Sequence, residues 1–463
     1  MMEHIKWKNL ERESVRYALL KVWVKMWHNL FYYRKVTALN THKIPANLPL
    51  IFAPNHENAA MDGLAVLCTT RGQPVFLARS DIFKKKLPAL LLTFLKIMPI
   101  YRIRDGISSL QKNDRVFQKT VEILKRKRPL VILPEGNHAE FKRLRTLKKG
   151  ISRIAFQAEE ASGYALGIHI VPVGIDYRDI YKFKTDVLVN YGDPIDVSDY
   201  FDLYRENPQK GMLALREHLA SAIRKLMVHI PTEKHYHCYM GILDLYFHRM
   251  KIRMGLSGNT HANKFQSDRK LVEILNRLLE KDPETVAELS RKTEKFVGLR
   301  KKLKLRNWLF EKDRFSFPGI FLHGLLLVIG FPVFLTGLLT NYIPWHIPVK
   351  VAEQFEDKVF ISTVKYVVSF LLFPLYYLLL FILLWIITGN LLITLGGIAL
   401  CAFTGWLGFK YYILWKKWLG KYRYRRYMKK KNKTFTEAKN LRNELISKMD
   451  ELVASLFPLP ASS

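Results

Sequence analysis

The chain has 463 residues, 49% of them hydrophobic, which is too long for one domain and enough for a full-sized catalytic domain plus a further module. Its 74 Lys and Arg against 40 Asp and Glu give a formal charge of +34, so some face of the molecule lives beside a polyanion, either nucleic acid or an anionic lipid surface. Three scattered cysteines, Cys68, Cys238 and Cys401, exclude a disulfide framework and fit a reducing compartment, and the N-terminal segment lacks the apolar core and small-residue cleavage site of a secretory signal.

Residues 13–32 are predicted to form a helix with a wide apolar face that includes Val15, Leu19, Val22, Trp23, Met26 and Leu30, and a narrow polar stripe of Arg16, Lys21, Lys25 and His28. The segment 1–34 reads as an N-terminal helix that suits the lipid interface and, equally, packing on the enzyme core. From 35 to 230, apolar runs near 49–53, 75–78, 97–101, 129–133, 168–175 and 186–191 alternate with helical stretches, and a closing helix is expected over 207–230. That alternation is the pattern of an α/β domain. Residues 231–312 are charged and helical without a strand signal, and read as a linker module.

The region 313–413 has the character of a membrane anchor. Tyr366 to Ile387 is 22 residues without a charge and Leu391 to Phe409 another 19, each long enough for the roughly 30 Å hydrocarbon core of a bilayer. A third apolar stretch, 315–339, is interrupted by Gly330, Pro332 and Gly337 and reads as a kinked span or a re-entrant hairpin. Basic residues crowd both flanks, Arg300 to Arg314 before it and Lys416 to Lys433 after the last stretch. The positive-inside rule puts both flanks in the cytoplasm, which three full spans cannot satisfy, so one stretch is expected to be re-entrant. Residues 414–463 supply this basic tail and a final amphipathic helix, with Thr434 and Glu437 as a capping box and Leu441, Leu445, Met449 and Leu452 on one side. Basic residues placed beside apolar spans, with no nucleic-acid-binding motif among them, make the lipid the better polyanion and leave no nucleic acid as a partner.

The chemistry concentrates at strand ends. Pro49-Leu50-Ile51-Phe52-Ala53-Pro54-Asn55-His56-Glu57-Asn58-Ala59-Ala60-Met61-Asp62-Gly63 is a buried strand, a turn carrying His56, and a helix start carrying Asp62, with Asn58 as the expected N-cap. On one continuous helix His56 and Asp62 would lie about 240° apart, so the histidine must precede the helix. Asp62 can then accept a hydrogen bond from one imidazole nitrogen and leave the other free to take a proton from a hydroxyl. A histidine at a strand end that merely satisfies backbone groups is the plainer alternative. Met98-Pro99-Ile100-Tyr101-Arg102-Ile103-Arg104-Asp105 follows, then Val131-Ile132-Leu133-Pro134-Glu135-Gly136-Asn137-His138 with the basic run Lys142, Arg143, Arg145, Lys148 and Lys149, then Ile170-Val171-Pro172-Val173. No Gly-x-Ser-x-Gly elbow is present, which argues against a serine esterase. His235, His237 and Cys238 have no second ligand pair at a workable distance, so no metal is expected.

In order, spacing and placement, these four blocks resemble the lysophospholipid and glycerol-3-phosphate acyltransferase family over roughly residues 35–200. The five residues between His56 and Asp62, where four are usual, resemble the longer variant of fungal and related bacterial glycerol-3-phosphate and dihydroxyacetone-phosphate acyltransferases. The resemblance implies an α/β acyltransferase domain with a C-terminal helical membrane region, in which His56 and Asp62 are catalytic. It implies acceptor-phosphate contacts from Arg102, Arg104, Glu135 and Gly136, and an acyl-donor pocket shaped by Pro172. Asn137 and His138 depart from the usual Thr-Arg, so Arg143 or Arg145 is expected to supply the guanidinium, and acceptor identity is left open. For Arg104 a surface ion pair is as good a reading, and for Glu135 a buried salt bridge or a loop-fixing role. The implied co-substrate is an acyl-CoA or acyl-carrier-protein thioester, with no other cofactor. The acceptor is a phosphorylated glycerol or lysolipid, membrane lipids are the partners, and the catalytic domain faces the cytoplasm. A competing class is a catalytically inactive membrane scaffold, in which His56 and Asp62 could be replaced without phenotype.

Overall fold

A computed structural model describes residues 9–101, 108–312 and 314–457, apart from the side chains of 108–113. Two compact units emerge, one from the chain up to His229 together with Asp357–Thr363, the other from Ile230–Glu356 and the chain from Val364 onward.

In the first unit, helix α1 (Val15–Met26) begins at Ser14, whose hydroxyl accepts from the Tyr17 amide at 3.3 Å, and runs into a π-helical turn over Trp27–Tyr32. Two members of the polar stripe face inward, while Arg16 and Lys25 stay exposed: Lys21 Nζ donates to the carbonyls of Thr70 at 2.9 Å and Gly72 at 2.6 Å, and His28, in the turn that follows, is fully buried. Val15, Leu19, Val22 and Leu30 are left exposed. Strands β1 (Lys35–Leu39), β2 (Leu50–Pro54), β3 (Val75–Arg79) and β4 (Ile97–Ile100) then alternate with α2 (Ala59–Thr69) and α3 (Lys86–Phe94). Helix α4 (Ser108–Lys125), β5 (Leu130–Val131) and α5 (Gly150–Glu160) precede β6 (His169–Tyr177), β7 (Asp186–Tyr191) and β8 (Ile195–Asp196), and α6 (Phe201–Glu206) and α7 (Pro208–Leu226) close the unit. All six strands expected from apolar runs are present. The two additional ones, β1 and the two-residue β8, carry no continuous apolar signal.

Among the described residues these strands form one sheet in the order β1-β7-β6-β2-β5-β3-β4, with β8 on β6. All pairings are parallel except those of β6 with β7 and with β8. Strand β2 is central and buried along its length, which is why its sequence reads as a run of apolar residues rather than an alternation. Ile51, Val75, Met98, Leu130 and Ile170 of the sheet pack with Phe156 of α5 and Leu215 and Leu219 of α7 into one core. Where the end of α7 meets β6, the sequence has Gly174: a Cβ there would stand 2.0 Å from the Leu226 carbonyl oxygen, so no side chain fits.

The second unit starts with three packed helices, α8 (Tyr236–Arg253), α9 (His261–Lys281) and α10 (Pro283–Lys302), and continues with α11 (Phe317–Glu353), α12 (Phe360–Thr388), α13 (Leu391–Lys429) and α14 (Lys433–Leu456). By length and composition α11, α12 and α13 can each cross a membrane. The stretch 315–339 is not a hairpin: α11 is one helix that carries Pro332, Pro344 and Pro348 in its interior. It runs antiparallel to α13, as shown by Trp418 Nε1 donating to Ile320 O at 2.9 Å, Tyr411 OH to Leu327 O at 2.9 Å and Asn341 Nδ2 to Cys401 O at 3.0 Å. Gly337 lies so close to Thr404 that small residues are required at the crossing. Tyr377 of α12 donates to Asn341 Oδ1 at 2.7 Å, which completes the hydrogen bonding of that buried amide. The antiparallel pair also brings the two basic flanks to one end, where Arg425 Nη1 donates to Phe315 O at 2.8 Å. The expected capping box is replaced by Asn432, whose side chain accepts from the Phe435 amide at 2.9 Å, while Glu437 pairs with Lys295 at 2.6 Å.

Candidate active site

The parallel strands β2 and β5 end side by side, and the turns that leave their C-terminal ends form the site, as open α/β sheets place ligands. The buried run Leu50–Pro54 delivers the chain to Asn55, whose side chain locks the turn to β6: Asn55 Oδ1 accepts from Ile175 N at 2.6 Å and Nδ2 donates to Ile175 O at 3.1 Å. His56 follows, and the five-residue spacing is absorbed at Ala59, which adopts φ +42° at the start of α2, a strained value for a residue with a Cβ.

This turn brings His56 Nδ1 to 2.8 Å from Asp62 Oδ2. Asp62 is completely buried. Its Oδ2 also accepts from the Asn58 backbone amide at 2.8 Å, and its Oδ1 accepts from the Tyr177 hydroxyl at 2.8 Å. Asn58 is the helix N-cap as expected, but its side chain makes no capping bond; the Asp62 carboxylate satisfies the backbone amide of Asn58 itself. A carboxylate can only accept, so Nδ1 bears the hydrogen and Nε2 presents a lone pair. His56 is one-seventh exposed at its side chain, accessible to a small hydroxyl but shielded from bulk water.

Glu135, at the turn after β5, is buried and holds the two motifs together. Its Oε1 accepts from the His56 backbone amide at 2.7 Å, and its Oε2 accepts from the amide and Nε of Arg145 at 3.0 and 3.1 Å. Both oxygens accept from the protein, so Glu135 ties the His56 turn to Arg145 and fixes the loop. Burial raises its pKa, against the opposing hydrogen bonds from Arg145 and His56. Arg145 also donates from Nη1 to the His138 carbonyl at 3.2 Å, so much of its fork serves the protein itself, while Nη2 is buried without a partner among the described residues.

Gly136 takes φ +67° in the turn that follows Glu135, a left-handed conformation that favours glycine. Arg143 is half-buried close by in sequence. Pro172 is buried in β6 opposite Ala53 of β2, inside the sheet. Arg102 and Arg104 lie outside the described residues.

Residue types alone did not reveal Tyr177 or Glu57. Tyr177 closes the apolar run of β6, and only the strand register shows that its hydroxyl reaches Asp62. Glu57, the residue after the histidine, is buried; burial raises its pKa well above the usual range, opposed by the Lys142 charge and reinforced by the smaller effects of Asp176, Asp62 and Glu135. Its Oε1 accepts from Asn55 Nδ2 at 3.2 Å.

The acyltransferase family model matches residues 35–176. Glycerol-3-phosphate O-acyltransferase 2 of Saccharomyces cerevisiae is 24% identical over 171 residues, 35% of this chain and 23% of that protein. Glycerol-3-phosphate O-acyltransferase 1 of the same yeast is 28% identical over 102 residues, 22% of this chain and 13% of that protein. The matched region thus spans under a quarter of the length of either relative. A crystal structure of the 1-acyl-sn-glycerophosphate acyltransferase from Thermotoga maritima aligns with TM-score 0.33 and 18% identity, covering 45% of this chain and 79% of that one. The stretch that matches the acyltransferase family model, residues 35–176, carries His56, Asp62 and Glu135.

Proposed function

We propose that this chain is a membrane-bound O-acyltransferase of phospholipid biosynthesis, which moves a fatty acyl group from an acyl-CoA or acyl-carrier-protein thioester to the hydroxyl of glycerol 3-phosphate or 1-acylglycerol 3-phosphate. The observation that carries this reading is the 2.8 Å contact between His56 Nδ1 and the buried Asp62 carboxylate at the end of β2. His56 Nε2 takes the proton of the acceptor hydroxyl as its oxygen attacks the thioester carbonyl. Asp62 stabilises the imidazolium that forms. Collapse of the tetrahedral intermediate breaks the C–S bond. The thiolate, whose conjugate thiol has a pKa of about 8.5, is a good leaving group and recovers the proton from His56. The products are an ester and a free thiol, with no covalent enzyme intermediate. The activity for which the yeast relatives are named, acylation of glycerol 3-phosphate, supports the acceptor class.

The apolar helices α11, α12 and α13 supply the anchor, and the outward apolar face of α1 suits the lipid interface. The basic flanks that meet at Phe315 and Arg425 favour the cytoplasmic side, where anionic lipid attracts them, and the catalytic unit is assigned to the same side. Purified full-length protein assayed with both donors against both acceptors tests the reaction; absence of ester product from every pairing would refute it. Alkaline carbonate extraction tests the anchor, since release of the protein into the supernatant would contradict it.

A further inference from the structure

The short connection after α11 and the first residues of α12, Asp357–Thr363, belong with the first unit, and they reach His138, whose ring lies beside that of His56. Asp357 Oδ2 lies 3.2 Å from His138 Nε2. The His138 ring meets the His56 ring edge-on, with centroids 5.5 Å apart and planes at 90°, and meets Phe360 in the same manner at 5.0 Å. The connection is itself seated on the unit: Asp357 Oδ1 accepts from Val359 N at 3.1 Å, Ser362 Oγ donates to Ile180 O at 2.7 Å, and the buried Tyr32 hydroxyl donates to Ser362 O at 2.9 Å. The His138 backbone is held too, through its carbonyl and Arg145 Nη1. Hydrogen bonding to His138 holds the Asp357 carboxyl below the usual carboxylate range.

This arrangement fixes the tautomer of a second imidazole beside the first. Asp357, as a carboxylate, can only accept, so His138 Nε2 carries the hydrogen and Nδ1 of the neutral ring offers a lone pair. Among the described residues Nδ1 has no hydrogen-bond partner. A hydrogen-bond acceptor next to the base suits a substrate with a second hydroxyl on the carbon beside the reacting one. We propose that His138 binds the neighbouring hydroxyl of a vicinal-diol phosphate acceptor and that Asp357 is its positioning residue. The inference rests on the acyl-transfer reading above and narrows the acceptor to a free glycerol phosphate rather than its monoacyl ester, which lacks the diol.

The test uses full-length protein in detergent with acyl-CoA as donor and two small acceptors, glycerol 3-phosphate and 3-hydroxypropyl phosphate, which lacks the central hydroxyl. One neutral hydrogen bond corresponds to about a tenfold preference at most in kcat/KM, so the wild type is expected to favour the diol by about that factor. His138→Ala should abolish the preference while leaving KM for acyl-CoA within about twofold. Asp357→Asn, which loosens the ring without removing it, should reduce the preference to about threefold, and His138→Asn, which returns a polar atom near the place of Nδ1, should restore part of it. A wild type without diol preference, variants that keep it, or equal loss toward donor and both acceptors would each overturn the inference. Transfer to 1-acylglycerol 3-phosphate but to neither small acceptor would overturn it while leaving the acyl-transfer reading intact. No transfer by the wild type to any acceptor would overturn both. Should His138→Ala fail to fold, Asp357→Asn decides on the same readout.

Discussion

Asp62 Oδ2 reaches His56 Nδ1 at 2.8 Å across a five-residue turn, and the carboxylate is entirely buried. A buried carboxylate at that position dictates which ring nitrogen carries the proton. Replacing Asp62 by Asn keeps the volume but lets the amide donate to Nδ1, which stabilises the wrong tautomer. In the serine protease triad the same exchange at the orienting aspartate costs about 10⁴-fold. Asp62→Asn should therefore lower kcat by several orders of magnitude while the circular dichroism spectrum stays that of the wild type. A loss of less than about tenfold would show that the tautomer is set elsewhere.

Tyr177 touches no reacting atom and acts through Asp62. Its hydroxyl donates to Asp62 Oδ1 at 2.8 Å, and burial holds the phenol protonated, well above its usual range. Hydrogen bonds to charged groups contribute about 1.5 to 3 kcal/mol. Tyr177→Phe should reduce kcat by roughly tenfold or more with little change in KM for the thioester, since the defect lies in the base and not in the donor site. A change confined to the donor KM would assign Tyr177 to binding.

Acid should destabilise the first unit through two histidines, the buried His28 and the half-buried His229. Burial holds His28 and His229 at about 4, below the ordinary value near 6.5. Between those values the unfolded chain binds more protons than the folded one, so stability rises with pH; the contribution is fully present above about 6.5 and is lost as pH falls toward 4. Glu57 and Glu135, with raised values, act in the opposite sense. His229 Nδ1 accepts from the Leu144 amide at 3.0 Å, so protonation breaks that bond. Thermal melts of full-length protein between pH 7 and 4.5 should show a smaller drop for His229→Asn than for the wild type; identical slopes would remove His229 from the explanation.

Much of the α/β domain was legible because its parallel strands are buried on both faces and so appear as short apolar runs; Leu50–Ala53 and the run that becomes β6 are the clearest. β1 was not, since Lys35 and Ala38 are exposed on an edge strand and leave a weak pattern. The pairing of His56 with Asp62 followed from helix geometry, although the strain at Ala59 that permits the longer turn did not. Tyr177 and Asp357 were hidden for a different reason. Tyr177 reaches Asp62 only through the pairing of β2 with β6, in which Pro54 lies opposite Val173, and Asp357 comes from a connection far along the chain. Register and tertiary closure are not written in local spacing. The orientation of α1 could not be read either, because a helix with Lys21 and His28 on one side and leucines on the other normally turns the leucines inward; here backbone carbonyls at Thr70 and Gly72 capture the lysine and the apolar side is left outward.

The central claim is that His56 is the general base for acyl transfer, and its most direct test is the rate at which purified full-length His56→Ala forms ester from acyl-CoA and glycerol 3-phosphate or 1-acylglycerol 3-phosphate. Base catalysis is worth at least roughly 10²-fold, so a loss of that size or greater is expected in a protein that still folds and partitions into membranes. A variant that transfers acyl groups within about tenfold of the wild-type rate would contradict the claim.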